Sequence, residues 1–265
     1  MFKKIPFLIV LALLSMSCNT SKDVYKGYKL VWSDEFDGSS VDLNNWSFKI
    51  WDAGRVNNEW QKYMEDTNNY KVEDGKLYIT VTKTGDNAKG GYTSTRLSSQ
   101  DKKEFQYGRI EFRAKMPKGR GTWPALWMLG ANIDKVGWAK CGEIDVMEYV
   151  GFQPDTTHTN VHTEYQHGST DFHKAISLKT AEEDFHTYGL TWTEDKMEFY
   201  LDDPSNVTNT YAPTNKTEDN WPFNQPFFMI LNFAVGGDWG GAKGVDETIW
   251  PQSMIVDYVR VYQKK

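Results

Sequence analysis

Alternation is the strongest regularity along this chain. In GRIEFRAKM (108–116), Gly108, Ile110, Phe112, Ala114 and Met116 take turns with Arg109, Glu111, Arg113 and Lys115. A period of two places the first set on one face of a β-strand and the second on the other, so the pattern predicts a strand with one buried face. KLYITVT (76–82), MEFYLDD (197–203), FFMILNFAV (227–235) and MIVDYVRVY (254–262) also read as strands. They are rich in β-branched and aromatic residues and bounded by Gly, Asp, Asn or Pro. No long segment repeats at 3.6 residues; TAEEDFH (180–186) has room for a helical turn or two. Many short strands between turn signals predict an all-β antiparallel sandwich, because a βαβ fold needs helices this chain does not offer.

Composition adds a binding surface to this picture. Aromatic residues make up 15% of the 265 positions, with 11 Trp and 14 Tyr. Such rings favour strands, and exposed Trp stacks on flat apolar ligand faces. From Tyr28 onward no linker, low-complexity tract or repeat interrupts the pattern, so residues 28–265 are read as one domain, expected to be a monomer. A net charge of −6 argues against binding to a phosphate backbone, so nucleic acid is not an expected partner.

Residues 1–17 read as a secretory signal: Lys3 and Lys4, an apolar run from Ile5 to about Leu14, then small residues. The run is too short to span a membrane. Cys18 follows directly and resembles the lipidated cysteine of bacterial lipoproteins, with Ser17 before it as usual but Ser15 and Met16 in place of the usual aliphatic and small residues. Ordinary cleavage after Ser15-Met16-Ser17 is the alternative. Only Cys141 remains besides, so no internal disulfide can form, and a Cys18 consumed by lipid accounts for the count. The reading is an exported lipoprotein at the outer membrane or cell surface, tethered by residues 18–27; a periplasmic or secreted protein is the alternative.

Three acids stand close together in CGEIDVMEYVG (141–151): Glu143, Asp145 and Glu148. A solvated strand face or a cation site is the plain reading. However, Ile144, Val146 and Met147 are interleaved with the acids, and no Lys or Arg lies within the stretch. Like charges held together are costly to ionise, so at least one carboxyl should keep its proton near neutrality. One ionised and one protonated carboxyl is the pair that glycoside hydrolysis requires. Strand parity turns Glu148 away from the other two. A β-bulge at Val146–Met147 would bring it back.

GEIDVMEYVG resembles the signature of glycoside hydrolase family 16, in the bulged form of its laminarinase-like members. LVWSDEFDG (30–38), NNEWQKY (57–63), YGRIEFRAKMP (107–117), GTWPALWMLG (121–130) and PFFMILNFAVGG (226–237) extend the likeness over nearly the whole chain after residue 28. The resemblance implies a β-jelly-roll sandwich of concanavalin-like type with an open cleft on its concave face. It implies endo-acting, retaining hydrolysis of β-1,3-glucan or mixed-linkage β-1,3-1,4-glucan, with no cofactor for catalysis. Galactan hydrolases share the signature, and a surface lectin on the same sandwich is the alternative from another class; intact Glu143 and Glu148 argue against the lectin.

Carried over residue by residue, Glu143 corresponds to the nucleophile, Glu148 to the general acid/base, and Asp145 to the acid that poises both. Trp123 and Trp127 match cleft tryptophans, their alternative being sandwich core. Trp138 is a weaker cleft candidate, because Ala139 follows where the family commonly has Pro. Asn58 and Arg96 resemble residues that grip sugar hydroxyls, a salt bridge to one of the acids being the alternative for Arg96. His162 in NVHT matches a histidine near the reacting sugar, or is structural. Some members of the family hold a structural Ca²⁺; its ligands here would be Glu35, the Gly75 carbonyl and Asp257, all oxygens as calcium prefers.

Overall fold

The computed structural model describes residues 25–265; the expected signal segment and Cys18 lie outside the described residues. Two sheets form the sandwich. The ten-stranded sheet runs Val207–Tyr211, Met197–Leu201, His186–Trp192, Gly108–Lys115, Gln252–Lys264, Lys76–Lys83, Tyr92–Ser94 and Gln61–Tyr63. Tyr28–Asp34 and Tyr70–Glu73 pair with Gln252–Lys264 and Lys76–Lys83, respectively. The eight-stranded sheet runs Lys174–Ser177, Thr156–His162, Glu143–Tyr149, Thr122–Gly130, Phe227–Val235, Arg96–Ser98 and Ser47–Phe48, with Glu104–Phe105 beside Phe227–Val235. Among the described pairings only Gln61–Tyr63 with Tyr92–Ser94 is parallel. This is the antiparallel sandwich that the alternation predicted and the jelly roll that the resemblance implied.

Between the sheets, Ile110, Phe112 and Ala114 from one side meet Leu126, Met128 and Ile144 from the other in one continuous core. Phe227–Val235 is buried along its whole length, so its apolar run barely alternates. All five predicted strands end within two residues of their expected bounds, and MEFYLDD gives up its last two positions to a turn at Asp202. At TAEEDFH a single turn forms, with Asp184 N–H donating to the Thr180 carbonyl, before a strand begins at His186. Two four-residue helices, Ile133–Val136 and Gly237–Gly240, are too short to show as a 3.6-residue period.

One expectation needs correction. The polar face of GRIEFRAKM is not all solvated: Glu111 is 0% exposed and Arg109 is buried. The Tyr200 and Tyr25 hydroxyls donate to Glu111 at 2.7 and 3.0 Å, and the Arg109 guanidinium lies 4.4 Å over the Tyr28 ring. Alternation marks which residues share a face, but not what later covers that face. The end of the expected tether is accordingly packed on the ten-stranded sheet through Tyr25.

Candidate active site

Register decides which acids meet. Against Thr122–Gly130, Met147 lies opposite Leu126 and Asp145 opposite Trp127, leaving Val146 with no counterpart. Against Thr156–His162, the register slips between Asp145, opposite Asn160, and Glu148, opposite His158. This is the bulge expected at Val146–Met147. Both bulged side chains belong to the core, so Glu148 returns to the face that carries Glu143 and Asp145.

The three carboxyls differ in what holds them. The Trp138 indole N–H donates to Glu143 Oε2 at 2.8 Å, and His162 Nε2 lies 3.7 Å from Glu143 Oε1 and 3.3 Å from Asp145 Oδ2. The Trp123 indole donates to Glu148 Oε1 at 3.1 Å. Asp145 Oδ2 is buried with no hydrogen-bond partner. Burial first, and then the charge of Asp145, pushes the Glu143 carboxyl up to about 8, while His162, the Trp138 N–H and Arg96 act to lower it. Glu148 is raised well above the ordinary carboxylate range, by burial and then by the charges of Asp145 and Glu143. Asp145 is raised by burial. A cluster of this kind holds protons at neutral pH, as the spacing of like charges suggested. His162 supports the anion at both ends, and Arg96 adds to it at the Glu143 end.

A second network holds the floor beside the acids. Trp127 Nε1 donates to Asn232 Oδ1 at 2.6 Å, Asn232 Nδ2 to the Tyr63 hydroxyl at 2.9 Å, and that hydroxyl to Glu59 Oε2 at 3.2 Å. Arg96 is buried between the Trp51 and Trp127 rings, 4.4 and 4.7 Å from their centroids. Stacking, rather than a salt bridge to any of the three acids, holds its guanidinium. Trp123 and Trp127 lie half-buried on the outer face of their strand, not in the sandwich core. Trp138 is 51% exposed and touches Glu143 directly, which makes it more central than the missing Pro suggested.

Asn58 lies further out, on an exposed loop, donating to Asp238 Oδ1 at 2.9 Å and accepting from Lys89 at 3.1 Å. Glu35, Gly75 and Asp257 line one cavity of about 490 Å³, together with Asp37 and Asp74. The oxygens suit a hard cation, but both Glu35 oxygens accept from Arg260 at 2.9 and 2.8 Å, and Asp257 pairs with Arg113. An ion there has to displace both guanidiniums.

Sequence reasoning missed Glu59, Tyr63, Asn232, His158 and Trp239. Asn232 left a signal, as the one polar residue in FFMILNFAV. His158 left another, being four residues from His162 and so on the same strand face.

A jelly roll with paired carboxyls on a bulged strand defines a polysaccharide-cleaving site, and comparison with known proteins agrees. The profile of Glycosyl hydrolases family 16 matches residues 56–258. The Beta-glucanase of Rhodothermus marinus is 40% identical over 276 residues, covering 99% of this chain and 95% of its own length. The crystal structure of a laminarinase from Flavobacterium sp. UMI-01 superposes with a TM-score of 0.82 at 48% identity, covering 89% of this chain and 100% of that one. A mutant of a non-specific endo-β-1,3(4)-glucanase of the family, co-crystallised with 1,3-β-D-cellotriosyl-glucose and presenting 1,3-β-D-cellobiosyl-glucose at its active site, superposes at 0.84 with 37% identity, covering 89% and 95%. The chain belongs to glycosyl hydrolases family 16.

Proposed function

We propose that this chain is an endo-acting, retaining β-glucanase that cleaves internal bonds of β-1,3-glucan and of mixed-linkage β-1,3-1,4-glucan. The observation that carries the reading is the bulge, which brings three acids to one face with a separate indole donor on each outer one. In the first step protonated Glu148 gives its proton to the glycosidic oxygen while the Glu143 carboxylate attacks the anomeric carbon. A covalent glycosyl-enzyme forms and the reducing-side glucan leaves. In the second step Glu148, now a carboxylate, takes a proton from water. That water attacks the same carbon, and Glu143 departs with the configuration restored. Asp145, between them, keeps the cluster short of full ionisation and so keeps the proton available to Glu148. Trp123, Trp127 and Trp138 offer ring faces to the sugar chain, and Arg96 and His162 offer donors to its hydroxyls. Asn58 serves as an outer contact.

Glu143→Gln should abolish cleavage of laminarin and barley glucan while binding persists; full activity in that variant would overturn the reading. A product profile on laminarin, lichenan, agarose and carrageenan tests the substrate class, and cleavage of the last two alone would assign a galactan hydrolase. We further propose a structural Ca²⁺ on Glu35, Gly75 and Asp257, supported by their gathering around one cavity. Added Ca²⁺ should then raise the melting temperature and a chelator reverse it. Among the described residues no helix is long and apolar enough to cross a membrane. The proposed attachment is a lipid on Cys18 of a monomeric, exported protein. Cys18→Ala should move it out of the membrane fraction, and unchanged fractionation would refute the anchor.

A further inference from the structure

Behind Glu148 lies a histidine pair that the mechanism above leaves unused. His158 sits opposite Glu148 in the strand register, so the two side chains share a face as cross-strand neighbours. It is 1% exposed, and its Nδ1 is hydrogen-bonded at 3.0 Å to Nε2 of His173, an exposed residue next to the edge strand Lys174–Ser177. The two rings stack with centroids 5.0 Å apart and planes inclined by 14°. The edge of this stack meets Trp239, whose ring lies 4.9 Å from His158 and 5.8 Å from His173. Trp239 in turn lies 5.7 Å from Trp123 in a T-shaped pair, and Trp123 is the indole that donates to Glu148. The chain of contacts therefore runs from His173 through His158, Trp239 and Trp123 to the acid/base carboxyl.

Two features argue against simple packing. His158 Nε2 is buried with no hydrogen-bond partner, and folds rarely keep such an atom without a use for it. Burial, then the neighbouring His173, lowers the His158 pKa to about 4, so the ring is neutral in ordinary use. A neutral pair can share one hydrogen bond without repulsion and act as a rigid block. Trp239 is suited to such a block, because it stands in a four-residue helical turn flanked by glycines.

We propose that His158 and His173 are positioning residues for Glu148, locking Trp239 and Trp123 so that the indole N–H holds the acid/base carboxyl at the glycosidic oxygen. This inference rests on the assignment of Glu148 above. Its consequence is specific: loosening the pair should harm protonation of the leaving group more than substrate binding. A glycoside with a good leaving group needs no such proton, so it should be spared.

The test compares kcat and KM on laminarin and on 2,4-dinitrophenyl β-laminaribioside for wild type, His158→Ala, His158→Gln, His173→Ala and Glu148→Gln, with circular dichroism and melting temperature on each. His158→Ala and His173→Ala should lower kcat on laminarin about tenfold or more with KM within about twofold, and lower glycosylation by the activated substrate far less. His158→Gln, which can still bond to His173, should recover part of the loss. Equal losses on both substrates, or losses that follow the melting temperature alone, would overturn the proposal and leave a structural role. Glu148→Gln separates the two readings. If it shows the leaving-group discrimination and His158→Ala does not, only the histidine proposal falls; if it shows none, the assignment of Glu148 falls first.

Discussion

Buried acids occur on both sheets, and the two sides treat them in opposite ways. On the ten-stranded sheet burial raises the Glu111 carboxyl above its ordinary range, but two tyrosine hydroxyls donate to it and, with Arg109 and Arg260, act to lower it again. Half-buried Glu35, just past Tyr28–Asp34, accepts from Nε and Nη2 of Arg260. On the eight-stranded sheet three acids crowd one another, each outer one takes a single indole donor, and an Asp145 oxygen, 3.3 Å from His162, accepts no hydrogen bond. The first arrangement resembles any well-satisfied fold interior. The second stores unfavourable electrostatics at one spot, which is the expected signature of a working site rather than of stability.

The sharpest way to break this contrast is to neutralise one acid on each side. Glu143→Gln should lower kcat on laminarin by at least about 10³-fold with the fold intact, and Glu148→Gln by about 10²- to 10⁴-fold. Glu111→Gln should leave kcat within about twofold in the same assay. Next, Trp138→Phe removes the N–H on Glu143 but keeps a ring. It should cost about tenfold in kcat and shift the acid limb of the kcat/KM profile upward, since that N–H helps ionise Glu143.

Stability should depend on pH more strongly through the acids of the eight-stranded sheet than through Glu111. The folded Glu143 pKa is raised from 4.5 to about 8, so the folded state binds more protons than the unfolded chain between those values. Its burial as an anion therefore destabilises the protein increasingly as pH rises through that window, and not at all below it. Glu143→Gln should raise the melting temperature at pH 8 by several degrees and lose that advantage near pH 4. Glu111→Gln, which keeps one oxygen for both tyrosine hydroxyls, should shift it less with pH, because those donors, Arg109 and Arg260 offset part of the burial that raises Glu111. Thermal melts of the two variants at pH 4, 6 and 8 check the difference. The smallest readout is stereochemical: NMR of the first product should show β configuration, and an α product would contradict retention.

Much of the fold was legible because strand alternation and turn residues are local signals, as in residues 76–82 and 227–235. Even the bulge could be inferred, since Glu148 is the one acid whose parity is wrong for the site. Legibility stopped where surfaces meet. Nothing local marks that Tyr25 and Tyr200 will cover Glu111, or that Trp51 and Trp127 will sandwich Arg96 from strands far apart in sequence. Trp138 was undervalued for the same reason. Its neighbour Ala139 departs from the family, but its contact with Glu143 depends on how the loop closes over the strand. Long-range pairs of this kind come from topology, not from residue pattern.

The central claim is that the bulged strand presents Glu143 as the group that attacks the sugar. A 2-deoxy-2-fluoro-β-laminaribiosyl fluoride should trap the glycosyl-enzyme, and peptide mass spectrometry should locate the label. The account predicts one fluorosugar per chain, esterified to Glu143. A label on Asp145 or Glu148, or turnover with no trapped ester, would contradict it.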